Sequence, residues 1–244
     1  MGDIKPTIYM IPGGWHCPAH YEPVLGILRS HGYPVAAINL PTVGTDMASK
    51  TIYDDIKTIS SELTQLADDG RDIIIMMHSY GGFVGSDAAH GLGKTEREKE
   101  GKKGGIIKMI YMATVVVAKG GKPTDAFDGD LPPYITVNDK GMHSPIDPHN
   151  VFYNDLSSED SSKWISMLQP MPLAIFYDAN EHDPPTGIPF VNIICKDDHA
   201  LPYETQKSAT SLLENCQTFE LDSSHSPFLS MPERIAEIVI EVAR

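Results

Sequence analysis

The run Ile73-Ile74-Ile75-Met76-Met77-His78-Ser79-Tyr80-Gly81-Gly82 decides the architecture. Five apolar residues without a polar face predict a short strand buried on both sides, as in a parallel sheet. The strand runs directly into Ser79, and small residues then open a helix-forming segment. A sharp strand-to-helix turn holds a serine in strained backbone, lifts its Oγ above the sheet edge and turns the next N–H toward a reacting oxygen. Gly81 permits the close approach that such a nucleophile elbow needs. The first glycine of the GxSxG pattern is absent, and Met77 stands in its place.

Outward from this run, Thr7–Ile11, Val35–Ile38, Ile106–Met112, Phe190–Cys195 and Thr218–Leu221 also predict buried strands, with amphipathic segments between them. In Thr51–Ala67, Ile52, Ile56, Ile59, Leu63 and Leu66 fall on one helical face, and Ile235, Ile238, Val239 and Val242 form the stripe of a closing helix. Alternating strand and helix imply right-handed crossovers. The expected class is therefore α/β: a mostly parallel sheet of about six strands with helices on both faces. Residues 1–118 and 188–244 are expected to form this core. From Lys119 to Gly187 the alternation stops, yet large apolar residues persist, which predicts a lid inserted after the fourth strand. The charged run Lys94–Lys103 reads as a solvated loop or a frayed helix end.

The chain has 244 residues, of which 41% are hydrophobic and 21% charged, so disordered and collagen-like classes are excluded. With 19 Lys and Arg against 33 Asp and Glu the net charge is −14, a field that repels phosphate backbones and anionic lipid surfaces. Neither nucleic acid nor membrane is expected as a partner. Cys17, Cys195 and Cys216 show no CxxC spacing and suit free thiols in a reducing compartment. The first residues lack a basic region followed by a long apolar run, and no apolar stretch approaches the ~18 residues of a membrane span. A cytoplasmic protein is expected.

An acid and a histidine should follow the serine in chain order at later strand ends. Asp197 and Asp198 follow Phe190–Cys195, and either carboxylate meets that requirement. His225 follows Thr218–Leu221 and is the candidate general base. After the first strand, Gly13 and Gly14 free a backbone N–H to face a developing oxyanion, so Gly14 and Tyr80 are the candidate oxyanion donors. Gly13, Trp15 and His16 of that loop, His78 beside the serine, and Tyr134, Phe152, Tyr153, Trp164 and Met167 of the lid are candidate substrate contacts for an apolar or aromatic small molecule. His78, ending a buried strand, equally suits a hydrogen-bonded structural role. Gly91-Leu92-Gly93-Lys94-Thr95 ends like a phosphate loop, but Ala88 stands where its first glycine belongs. His143, Asp147 and His149 lack a fourth ligand and read as lid surface. No cofactor and no metal are expected.

The segments IPGGWHCPAHYEPV, INLPTVG, MMHSYGG, VFYNDLSSED, IICKDDHALP and SSHSPFLSMP occur in that order across nearly the whole chain. In this the chain resembles the small α/β-hydrolases related to plant methylesterases and hydroxynitrile lyases, and most of all their microbial relatives. The resemblance implies Asp198 rather than Asp197 as the acid, with His225 as base and Gly14 and Tyr80 as oxyanion donors. The lyase branch carries a lysine directly after the catalytic histidine and a threonine in the first-strand loop. Here Ser226 and Gly13 hold those positions, which disfavours cyanohydrin cleavage. The implied activity is hydrolysis of a small apolar or aromatic carboxylic ester or lactone through an acyl-enzyme. The alternative is a member whose output is not hydrolytic: a lyase, a cyclase, a C–C bond-cleaving enzyme or a small-molecule receptor. A homodimer through the lid or sheet edge is left open.

Overall fold

Alternation along each central strand sends successive side chains into two different cores. The computed structural model describes residues 4–208, 211–213 and 215–244. Strands β1 (Thr7–Ile11), β2 (Val35–Ala37), β3 (Asp72–His78) and β4 (Gly105–Met112) alternate with helices α1 (Glu22–Ser30), α2 (Ile52–Asp68), α3 (Tyr80–Ala88) and α4 (Lys94–Lys99). The inserted stretch carries strands β5 (Ile135–Val137), β6 (Met142–Pro145) and β7 (Met171–Pro172) and helices α5 (Pro148–Phe152) and α6 (Ser158–Ile165). Strands β8 (Phe190–Cys195) and β9 (Cys216–Leu221) then return to the main sheet, with helix α7 (Tyr203–Ser208) between them and α8 (Pro227–Ser230) and α9 (Pro232–Val242) after them.

The main sheet has the order β2-β1-β3-β4-β8-β9, and every pairing is parallel. Ile8, Met10, Ile74, Met76, Ile110 and Ile193 join one core with the apolar stripes of α1 and α9. Tyr9, Ile11, Ile73, Ile75, Met77 and Tyr111 join the other with α2 and α3. The second core continues without a break into the insertion, through Phe152, Tyr153, Met171 and Phe176. Segment 119–187 follows the fourth strand, as expected, and forms its own antiparallel sheet, β5-β6-β7.

Local chemistry explains the helix boundaries nearest the site. α2 starts at a capping box in which the Thr51 amide donates to Asp54 at 3.0 Å, and it ends where Gly70 takes φ 77°. Two expectations need correction. Part of the charged run Lys94–Lys103 forms α4, because Arg97 is buried and donates to Gly104 O at 2.8 Å and to Asp68 at 2.6 Å. His143 does not lie on the lid surface: strand alternation in β6 turns its ring inward, against Trp15 and Phe176.

Candidate active site

The turn between β3 and α3 is strained as its sequence predicts. Ser79 sits at φ 49° and ψ −124°, a conformation that non-glycine residues rarely adopt. It is held there from both sides: its amide donates to Met112 O at 3.1 Å, and its carbonyl accepts from Thr114 Oγ1 at 2.6 Å and from the Gly82 amide at 2.8 Å. A Cβ on Gly81 would lie 2.5 Å from the carbonyl oxygens of both Ile11 and Pro12. Only glycine lets the elbow press this closely on the end of β1.

The loops after β8 and β9 bring a carboxylate and an imidazole to the same rim. Asp198 Oδ2 accepts from His225 Nδ1 at 2.7 Å, and neither side chain is more than 3% exposed. Asp198 Oδ1 accepts from the amides of Ala200 and Leu201, both at 2.8 Å, and Gln206 Nε2 donates to Oδ2 at 3.1 Å. Asp197 is 69% exposed and bonds to Asn154 instead, so the geometry separates the two adjacent carboxylates. A carboxylate only accepts, so His225 carries its proton on Nδ1 and leaves Nε2 free. His225 and Ser79 line one cavity. Ser79 Oγ makes no hydrogen bond to the ring, a contact that in serine enzymes commonly tightens only when substrate binds.

Gly14 and Tyr80 face the same cavity. The Gly13 carbonyl accepts from the His16 amide at 3.3 Å, which turns the opposite edge of that peptide, the Gly14 N–H, away from His16. Tyr80 is clamped through its hydroxyl, which donates to Asp55 Oδ2 at 2.7 Å, while Thr42 donates to the same carboxylate through its amide at 3.0 Å and its hydroxyl at 2.6 Å. Burial pushes the Asp55 carboxyl up to about 6, against the pull of these donors.

Behind the cavity lies a layer of neutral imidazoles. His78 Nε2–H donates to the His225 carbonyl at 2.9 Å, so Nδ1 accepts from Tyr21 Oη at 2.8 Å, and Tyr21 Oη accepts from the Gly13 amide at 2.9 Å. This chain ties the loop after β1 to the loop after β9. His16 Nδ1–H donates to Gly14 O at 2.6 Å and Nε2 accepts from Tyr153 Oη at 2.9 Å. Burial holds His16 and His78 well below the usual histidine range, and neighbouring imidazoles add to that, His20 and His225 for His16, and His225 and His16 for His78.

Of the nine residues expected to touch substrate, Trp15 and Tyr134 line the cavity. His78, His16 and Tyr153 are spent on the network just described, and Gly13 presses on His78, where a Cβ would come within 2.5 Å of Nδ1. Phe152 stands one layer back, with ring centroids 5.4 Å from Trp15 and 5.6 Å from His225. Trp164 lies against His20, with Lys163 over its ring, and neither Trp164 nor Met167 reaches the cavity. The wall is built instead from Phe83, Phe127, Met171, Phe176 and Leu201, with Thr114 and His143. Thr114 follows the end of β4, where sites of open sheets gather, so its position was a usable signal. Gln206, which braces Asp198 from α7, had none.

The sequence pattern described as the alpha/beta hydrolase family matches residues 8–238. The chain belongs to the α/β-hydrolase family. As such it is a hydrolase-type enzyme with relatives of its own length. It is 25% identical over 250 residues to the alpha/beta hydrolase nvfD of Aspergillus novofumigatus (strain IBT 16806), covering 98% of this chain and 97% of that one. Among solved structures it resembles a pyrethroid hydrolase from Sphingobium faniae JZ-2, with a TM-score of 0.73, 23% identity and coverage of 98% and 97%. It also resembles the methylesterase MES16 of Arabidopsis, with a TM-score of 0.75, 19% identity and coverage of 97% and 98%. The α/β-hydrolase fold expected from the segment order is therefore the fold of the chain, and a plant methylesterase is among its structural neighbours.

Proposed function

We propose that this α/β-hydrolase cleaves a small apolar or aromatic carboxylic ester or lactone through an acyl-enzyme on Ser79. The observation that carries the reading is the buried 2.7 Å bond between Asp198 and His225, in a cavity shared with a serine held in elbow geometry. His225 Nε2 takes the Ser79 proton as Oγ attacks the carbonyl carbon. The carbonyl oxygen gains the electron pair and is held by the Gly14 and Tyr80 amides. Asp198 stabilises the imidazolium, which then protonates the departing alkoxide. A water molecule, deprotonated by the same ring, attacks the acyl carbon and restores the Ser79 hydroxyl as the acid leaves.

The mostly apolar wall supports an apolar or aromatic substrate. Segment 119–187 acts in this reading as a lid whose Tyr134, Met171 and Phe176 close over the bound ester. Among the structural neighbours one is named a pyrethroid hydrolase and another a methylesterase, and these names support a hydrolytic reaction class. The reducing, cytoplasmic setting is proposed on the three unpaired cysteines. Among the described residues no helix is long and apolar enough to cross a membrane.

Steady-state hydrolysis of p-nitrophenyl butyrate by wild type and Ser79→Ala tests the reading. Loss of the nucleophile should lower kcat by about 10⁴-fold or more with the protein still folded. Turnover unchanged by the substitution would rule out Ser79 as nucleophile.

A further inference from the structure

Away from Ser79, His225 and the expected oxyanion donors, the wall of the reactive cavity is mostly apolar, with Thr114, Tyr134, Trp15 and His143 as its polar members. Several buried side-chain polar atoms lack a hydrogen-bond partner among the described residues, and of these only Trp15 Nε1 and both His143 ring nitrogens belong to residues that line this cavity. The two rings meet edge to face, with centroids 5.3 Å apart. They come from opposite sides: Trp15 from the loop after β1, at φ 65°, and His143 from β6 of the insertion. Burial pushes the His143 ring down to about 4, and the nearby Pro172 carbonyl pulls the other way without reaching hydrogen-bonding geometry. The ring is therefore neutral near pH 7, with one N–H to give and one nitrogen to accept.

A buried donor left unpaired destabilises the fold. An apolar filler of the same shape, phenylalanine at either position, would carry no such penalty. The residues that carry these groups line the ligand cavity side by side, and a site that recognises an oxygen uses such groups, because a ligand without it leaves them unpaired. We propose that Trp15 and His143 form a polar subsite for a second oxygen of the substrate, a ketone or hydroxyl oxygen carried on the apolar group away from the scissile carbonyl. Trp15 Nε1–H donates to that oxygen. The His143 ring donates to a ketone or hydroxyl oxygen through its N–H, or accepts from a hydroxyl through its bare nitrogen. The natural substrate is then an oxygenated apolar ester rather than a plain hydrocarbon one. This rests on the ester-hydrolysis reading above for the place of the scissile bond.

Binding to Ser79→Ala, measured by calorimetry, tests the subsite without turnover. One probe pair is methyl 4-oxo-4-phenylbutanoate against methyl 4-phenylbutanoate, which places the oxygen on the acyl side. The other is 4-oxo-4-phenylbutyl acetate against 4-phenylbutyl acetate, which places it on the alcohol side. The keto member of at least one pair should bind about tenfold more tightly, a mid-range value for satisfying one buried donor. The ratio should fall toward unity when Trp15→Phe or His143→Phe is added. Equal binding within both pairs overturns the proposal, as does a preference that survives both phenylalanine variants. Hydrolysis of p-nitrophenyl butyrate that persists in Ser79→Ala would instead refute the nucleophile assignment, so the two failures are distinct.

Discussion

Asp198 divides its work between two oxygens. Oδ1 is held by two backbone amides of its own loop, and Oδ2 takes both the His225 ring and the Gln206 amide, so the carboxylate cannot rotate away from the base. His225, the proposed base, is also held from behind, because its carbonyl accepts from His78. His78 is thus a positioning residue, reaching His225 on one side and, through Tyr21, the Gly13 amide on the other. His78→Phe should lower kcat by about ten- to a hundredfold, the cost of a small misplacement of reacting groups, with KM little changed. His78→Gln, which can still donate to the carbonyl, should recover part of the loss. Equal losses in both variants, or a rise in KM alone, would count against positioning. Tyr80 was expected at the site for its backbone N–H, but the bond from its hydroxyl to Asp55 was not legible. His78 looked as able to touch substrate as to serve structure, since sequence does not reveal which way a ring points from a strand end.

The elbow depends on how closely α3 packs against β1. Gly81 has two carbonyl oxygens where a Cβ would go, so Gly81→Ala must push the helix start outward. Such overpacking should cost about 1–3 kcal/mol of stability, and the shift of the Tyr80 amide should lower turnover as well. Denaturant unfolding beside p-nitrophenyl butyrate kinetics reads both, and a variant as stable and active as wild type would show that the close approach is not needed. The central strands and the long helices were legible because their apolar periods are unbroken, and Thr7–Ile11 and Phe190–Cys195 have the same ends in sequence and structure; the edge strands β2 and β9, expected as buried, are half-buried and largely exposed because each has a neighbour on one side only. The insertion was legible only as a break in the alternation. Its strands β5 and β7 span three and two residues, too short to carry a period of their own. Hence Phe152, Tyr134, Trp164 and Met167 were recognised as large apolar or aromatic residues over the sheet, while Phe127 and Phe176, which line the cavity beside Tyr134, passed unnoticed.

At the scale of the whole molecule, the buried rings couple the fold to pH. His16, His78 and His143 all have folded pKa values below the ordinary 6.5, with desolvation as the first cause. The folded state then binds fewer protons than the unfolded chain, so their contribution is complete above about pH 6.5 and is lost as pH falls through and below it, at up to about 1.4 kcal/mol per pH unit for each ring. Asp55 acts in the opposite sense. Its pKa is raised from 3.8 to about 6, so its contribution is complete below 3.8 and lost as pH rises through about 6. With His20, which burial shifts in the same sense, four rings outweigh one carboxyl, and stability should fall from pH 6.5 toward pH 4.5. Urea midpoints across that range should show the fall, with a shallower slope in His143→Phe. A flat profile, or an unchanged slope in the variant, would mean that these rings are not held neutral by the fold. The net charge of −14 was legible from composition, but this coupling was not, because it depends on which histidines the fold encloses.

The most direct test of the central claim is the intact mass and peptide map of the protein quenched during the p-nitrophenyl acetate burst. One acetyl group on the peptide that carries Ser79, absent from Ser79→Ala and accumulating faster than it is released, is the predicted result. Acetyl on another residue, or a burst undiminished in Ser79→Ala, would contradict it.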